Sequence, residues 1–301
     1  MTNEKLFWHW VRERHRIWYA RHVEGRPSPW TDDPYLRAYR FTNVYRRLDP
    51  GTAWLVDHVA EGRLDLDASN DEVLLNVLAY RQGLREDSKA HVGWLTIDEA
   101  GLSNADDVRA RMADFGPGHP YTGAYLLGNA GIPGPKRDSW PTLWARAAAE
   151  LAARRQDEAP DWTLLDRRQL LRLLREFQGI GPFVAYQTCL DLSYPENGLN
   201  LPHSNDGYAL LGPGARRGMD LVDNAPDRGP GEAGYNERLV WLRGRQDRFL
   251  EGRMPSWDHG ALDYVYLDRS DVENCLCEFG RYHEARRTDG QNLRRRFKVA
   301  S

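Results

Sequence analysis

Apolar residues recur at helical spacing along most of this chain. Phe7, Trp10, Val11, Ile17 and Trp18 make a stripe along residues 4–24, and recurrence every three or four positions marks an amphipathic helix. The same period predicts helices over 34–48, about 51–61, 70–84, 104–114, 139–155, 163–177, 182–193, 235–250 and 270–286. Several have recognisable starts. Asn70-Asp-Glu sets an N-cap and an acidic first turn, and Thr96-Ile-Asp-Glu has capped character ahead of 104–114. Asp271 opens the last helix, whose stripe is Val272, Leu276, Phe279 and Tyr282. Strand patterns are nearly missing, with Asp263-Tyr-Val-Tyr-Leu267 the best short candidate. From 195 to 235 the periodicity gives way to Gly, Pro, Asn and Asp, and so long a loop inside a compact domain is functional or disordered. The pattern predicts an all-α (mostly α) protein with residues 1–301 as a single helical domain.

The sharpest local signal is Leu170-Leu-Arg-Leu-Leu-Arg-Glu-Phe-Gln-Gly-Ile-Gly-Pro-Phe183. It reads as a helix, a Gly-Ile-Gly turn and a second helix opening at Pro182, where a missing N–H costs nothing. Gly179 and Gly181 permit positive φ and close approach of another backbone. The turn would present free N–H groups at a helix N-terminus, a seat for a phosphate. A helix-hairpin-helix of this form, at about 165–193, grips DNA backbones without reading sequence. The same residues serve equally as a tight turn between packed helices.

Composition narrows the setting. No apolar run approaches the ~18 residues that span a membrane, and Met1-Thr-Asn-Glu-Lys-Leu lacks the regions of a signal peptide. Cys189, Cys275 and Cys277 form no disulfide framework, and Cys-Leu-Cys lacks zinc spacing, so a reducing, cytoplasmic setting is expected. The nine histidines fall in no ligand spacing, so no metal site is expected. Formal net charge is −3, so any DNA contact must be a local groove. Lysine occurs only at 5, 89, 136 and 298, and arginine, with its planar fork, carries the remaining fixed positive charge. There is no GxxxxGK[ST] loop, no GxGxxG after a strand, no HExxH and no GxSxG, so nucleotide hydrolysis is not expected.

Polar clusters remain. Pro202-His-Ser-Asn-Asp206 lies in the substrate-loop candidate at about 195–235 and offers His203, Asn205 and Asp206. Asp206 follows the hairpin at the interval of the catalytic aspartate in hairpin-type base-excision glycosylases. Partly desolvated, it would act as a base or an electrostatic stabiliser; in a loop of this composition it is also an ordinary turn residue. Gly212-Pro-Gly-Ala-Arg-Arg-Gly218 couples flexible backbone to the guanidinium groups of Arg216 and Arg217, suiting a pyrophosphate or a solvated basic turn. A helix over 34–48 places Arg40, Asn43 and Arg47 on one face, able to read a base edge or phosphate or simply hydrated. Glu273, Glu278 and Arg281 are most simply surface or supporting charges.

Taken in order, Phe7-Trp8…Glu13-Arg14, Pro29-Trp-Thr-Asp-Asp-Pro34, Tyr39-Arg-Phe-Thr-Asn-Val-Tyr-Arg46, Tyr121-Thr-Gly-Ala-Tyr125, Gly179-Ile-Gly-Pro-Phe183, Gly212-Pro-Gly-Ala-Arg216 and Asp271-Val-Glu-Asn…Cys-Glu-Phe279 resemble one family. It is the α-glutamyl/putrescinyl thymine pyrophosphorylase or amino-acid:DNA transferase family, also called the helical domain of 5-hydroxymethyluracil DNA kinases. The resemblance implies a helical fold like that of the helix-hairpin-helix DNA glycosylases and a place in phage thymine hypermodification, in the host cytoplasm. There a DNA kinase pyrophosphorylates 5-hydroxymethyluracil in double-stranded DNA, and the family member replaces the pyrophosphate with an amine, an amino acid or polyamine. On that reading the base flips out, and Gly179–Gly181 holds a backbone phosphate. Arg216 and Arg217 would pair with the departing pyrophosphate, Asp206 would stabilise a methide-like state, and Arg40, Asn43 and Arg46, with His203 and Asn205, would line the substrate side. No organic cofactor is required. Two alternatives remain: a glycosylase for a modified base, or a non-catalytic DNA-binding module. No lysine lies between 137 and 297, which disfavours Schiff-base strand cleavage.

Overall fold

A computed structural model describes residues 2–115, 120–122, 127–157, 159–194, 198–199, 201–202, 207–222, 225–229, 231–257 and 264–291. Among them are the helices α1 (Asn3–His22), α2 (Pro34–Ala38), α3 (Pro50–Leu66), α4 (Asn70–Arg81), α5 (Glu86–Val92), α6 (Ala105–Asp114), α7 (Lys136–Gln156), α8 (Arg167–Glu176), α9 (Pro182–Leu192), α10 (Pro213–Leu221), α11 (Glu232–Arg243), α12 (Asp247–Leu250) and α13 (Arg269–Arg287). Short 3-10 turns lie at Arg46–Leu48 and Trp162–Leu164. The sheet content described is one small hairpin, β1 (Ile97–Asp98) against β2 (Gly101–Leu102), and an isolated bridge from Leu84 to Tyr121. The protein is mostly α, as its periodicity indicates.

Backbone contacts divide the chain into two units, Met1–Asp49 with Asp206–Ser301, and Pro50–Asn205. In the first, α1 buries Phe7, Trp10 and Val11, and Phe7 meets Phe279 of α13 edge-on at 5.4 Å. Helix α10 runs against α13 with almost no space between backbones. A Cβ on Gly218 would fall 2.0 Å from the Leu276 carbonyl oxygen, and one on Gly214 would fall 2.5 Å from Cys277 Sγ. Gly214 and Gly218 therefore serve helix packing within α10, and residues 213–218 are not the flexible turn their composition suggests.

The second unit is built around α4. Val73, Leu74, Leu75, Val77, Leu78 and Ala79 are all sealed, the pattern of a helix packed on every side. Its start is fixed by a reciprocal Ser69–Glu72 capping box. Arg81 at its far end forms a buried ion pair with Asp191 of α9. Trp162 Nε1 donates to Asp71 at 2.6 Å and Trp144 Nε1 to Gln82 at 2.5 Å, so these indoles enter the core with their N–H groups satisfied. Helices α8 and α9 flank the turn at 177–181, where Gly179 has φ +82° and Gly181 has φ −81°. Only the first of the two glycines uses left-handed backbone.

Several expectations need correction. The helix expected over 34–48 ends at Ala38, and the helix expected over 235–250 is two, α11 and α12. The stretch after Thr96 forms the β1–β2 hairpin before α6, and residues 264–267 form no strand. Leu267 N–H instead donates to the Gln246 side chain at 2.8 Å. The loop expected over 195–235 contains α10 and the start of α11.

Candidate functional site

The segment that leaves the helix at Ala38 is held in extended form by α13. Asp271, Asn274, Cys275 and Glu278 recur at helical spacing and make a polar stripe beside the apolar one. Arg46 N–H donates to Asp271 at 2.8 Å, and Thr42 N–H donates to Glu278 at 3.2 Å. The Asn274 amide donates to Asn43 O and Thr42 Oγ1, each at 3.1 Å. The Cys275 thiol lies 3.7 Å from Val44 O. These bonds replace those a helix would have made, which is why the helical period of 39–48 is overridden.

Within the segment, Asn43 is a structural hub. Its N–H donates to Asp49 at 2.9 Å, its side-chain amide donates to Leu48 O at 2.6 Å, and its side-chain oxygen accepts from Arg14 of α1 at 2.5 Å. Arg14 also donates to Phe41 O. Burial lowers the Arg14 guanidinium to about 10, with Asp49 and Glu278 opposing the shift, so it stays charged at neutral pH. Arg281 grips Glu278 with bonds of 2.6 and 2.7 Å and donates to the Arg40 carbonyl at 3.3 Å. His15 lies beneath, its Nε2 2.9 Å from Pro255 O, and burial pushes it down to about 4, leaving it neutral.

Glu273 lies off this stripe. It is buried. Burial raises its carboxyl to about 7, with the buried Arg46 guanidinium as the opposing charge. One turn further along α13, Cys277 is pushed up to about 11 by burial and by the charges of Glu278 and Glu273, against those of Arg281 and Arg217. Gly214, in the first turn of α10, touches Cys277. Cys277 thus feels both Glu273 and Arg217 and lies against the first turn of α10, to which Gly212 gives no side-chain cap, whereas the charge acting on Glu273 itself is Arg46. A carboxyl that ionises near neutrality can both take and give a proton. Uncapped N–H groups beside a guanidinium suit an oxyanion.

The residues expected to act fall into several groups. Arg46 acts on Glu273, and Arg217 acts on Cys277 one turn further along α13. Asn43 is committed to internal bonds, and Arg40 is exposed with its carbonyl bound by Arg281; neither shares a helical face with Arg47. Arg216 turns back, donating to Leu211 O at 2.9 Å and lying 5.2 Å over the Tyr235 ring. His203, Asn205 and Asp206 lie outside the described residues. Gly179 and Gly181 belong to the second unit. Glu273 and Glu278, read from sequence as surface charges, are buried. The polar stripe one step round from Val272, Leu276 and Phe279 was the signal for Glu278, whereas Glu273 carried no signal in the pattern. Among the described residues no His, Cys, Asp or Glu group could hold a metal ion, and no helix is long and apolar enough to cross a membrane.

Fold and site together define a mostly helical protein whose ionisable groups gather along its last helix. The chain belongs to the family described as 5-hmdU DNA kinase, helical domain, whose model matches residues 2–292. It is similar to the 5-hmdU DNA kinase of Bacillus phage SP10, with 31% identity over 221 residues, 70% of this chain and 34% of that protein. The chain therefore spans about a third of the length of this curated relative. No solved structure matches it.

Proposed function

We propose that this protein acts in phage thymine hypermodification, displacing diphosphate from pyrophosphorylated 5-hydroxymethyluracil in double-stranded DNA with an amine. The observation that carries the reading is Glu273: a buried carboxyl raised to about 7, with buried Arg46 as its opposing charge, one turn of α13 before Cys277, which Arg217 of α10 acts on. The family and the phage relative support the modified thymine as substrate. The sequence carries no nucleotide-binding P-loop, which favours a step after activation, with the activated base supplied by a DNA kinase activity.

The chemistry follows from the groups present. The bond from the uracil methylene to the diphosphate oxygen breaks, and its electron pair leaves with the diphosphate. Arg217 and the N–H groups at the start of α10 neutralise that growing charge. The amine nitrogen forms the new bond to the methylene, and its surplus proton passes to Glu273. A carboxyl near neutrality suits that transfer better than an aspartate at its ordinary ~4. Asp206, with His203 and Asn205, is assigned to stabilising the electron-poor methylene. The turn at Gly179–Gly181 is assigned to a DNA backbone phosphate, and its helix-hairpin-helix form supports a kinship with hairpin glycosylases that flip their target base.

The test is incubation of the purified protein with DNA containing pyrophosphorylated 5-hydroxymethyluracil and a mixture of amino acids and polyamines, followed by mass spectrometry of the nucleosides. A nucleoside heavier by one amine, formed with release of diphosphate, is the expected product. Abasic sites with free modified base would replace this reading by a glycosylase. Unchanged nucleosides with tight DNA binding would leave a binding module.

A further inference from the structure

The first unit carries a second concentration of positive charge. A cavity of about 380 Å³ opens between the first turns of α1 and the α12 region. Trp8 and Phe249, stacked at 5.8 Å with an interplanar angle of 13°, line its apolar side. Lys5, Arg12, Arg248 and Arg253 surround it with His9, and no carboxylate is among its described lining residues. In a chain of formal net charge −3 such a one-signed lining is a marked local excess.

Two donors at this place lack acceptors. The Trp8 indole N–H is buried without a hydrogen-bond partner, although Trp8 is only 1% exposed. The Arg12 Nε–H is likewise buried without a hydrogen-bond partner, although Glu13 forms an ion pair with it at 3.8 Å. Arg12 Nη2 lies 3.3 Å from His9 Nδ1, which draws these two side chains together at the cavity wall.

We infer that this cavity binds a phosphate-bearing oxyanion of at least two phosphoryl groups. Converging guanidinium groups supply bidentate donors for such a ligand, and the cavity volume admits a diphosphate with part of what it is attached to. Two sources share this chemistry: a free polyphosphate, such as inorganic diphosphate or a nucleoside triphosphate, and consecutive phosphates of a DNA strand. The inference stands apart from the amine-transfer reading, because it needs neither Glu273 nor an activated base.

The experiment is calorimetric titration of the whole protein with inorganic diphosphate, with ATP and with an unmodified DNA duplex. The variant is Lys5→Gln/Arg248→Gln/Arg253→Gln, all three exposed. Its charge-matched control is Arg37→Gln/Arg109→Gln/Arg137→Gln, three exposed arginines away from this cavity and from the hairpin at 165–193. Weakening of diphosphate or ATP binding by about tenfold or more in the cavity variant alone, with melting unchanged, supports the site and names a free polyphosphate. The same selective loss seen only with duplex supports the site and names the DNA backbone. Equal losses in both variants, or no binding of any of the three ligands to the unaltered protein, overturn the inference.

Discussion

Glu273 combines a proton-transfer capacity with a stability cost, and both can be measured. Burial raises its carboxyl from the ordinary 4.5 to about 7, with the Arg46 charge as the opposing influence. Between those values the folded protein holds a proton that the unfolded chain has released. Stability on account of this group therefore falls as pH rises through that window and levels off above the folded value. Glu273→Gln keeps the shape and removes the charge. It is expected to be more stable than the unaltered protein at about pH 8, by up to ~3 kcal/mol, and equal to it below about pH 4. Thermal melts at both pH values check this, and a variant that melts lower at high pH would show the carboxylate to be well solvated or paired. The wide charge network around Arg14, Asn43 and Glu278 behaves oppositely. Arg14→Met strips donors from the Phe41 carbonyl and the Asn43 side chain. A loss of roughly 2–3 kcal/mol is expected in denaturant unfolding, since acceptors remain unmatched.

At the scale of elements, two glycine pairs separate packing from access. Gly218→Ala forces a Cβ to within 2.0 Å of the Leu276 carbonyl oxygen, which only movement of α10 away from α13 relieves. A destabilisation of roughly 3 kcal/mol or more is expected in thermal unfolding. In the 177–181 turn the positions differ. Gly179→Ala meets both a φ of +82° and a contact of 2.8 Å with Ala130 Cβ, whereas a Cβ on Gly181 meets nothing within 4 Å. Gly181→Ala should leave the melting temperature in place and weaken duplex binding several-fold if a phosphate rests on this turn. Undiminished binding would remove the turn from the DNA contact. The sequence made these helices legible because their periods and caps are local properties. The break after Ala38 was not legible, because its cause lies in side chains of α13, more than two hundred residues later in the chain.

At the scale of the whole molecule, the helical class was readable from apolar spacing, and the family from blocks scattered along the chain. What those blocks do was not readable residue by residue. Tyr39–Arg46 and Asp271–Phe279 are remote in sequence and meet as one hydrogen-bonded assembly, so Asn43 looked like a ligand and is a brace. Glu273 looked solvated because one charge amid Asp271, Asn274 and Glu278 gives no sign of which face is sealed. The central claim is that this buried carboxyl takes the proton when an amine displaces diphosphate. The most direct measurement is single-turnover release of diphosphate from DNA carrying pyrophosphorylated 5-hydroxymethyluracil. It is followed from about pH 6 to about pH 8.5 with the free-base amine held constant, for the unaltered protein and for Glu273→Gln. The expected result is a rate that rises with pH and levels off above about 7, and a variant that is folded, on the order of a hundredfold slower and without that inflection. Equal rates and the same inflection in both proteins would contradict it.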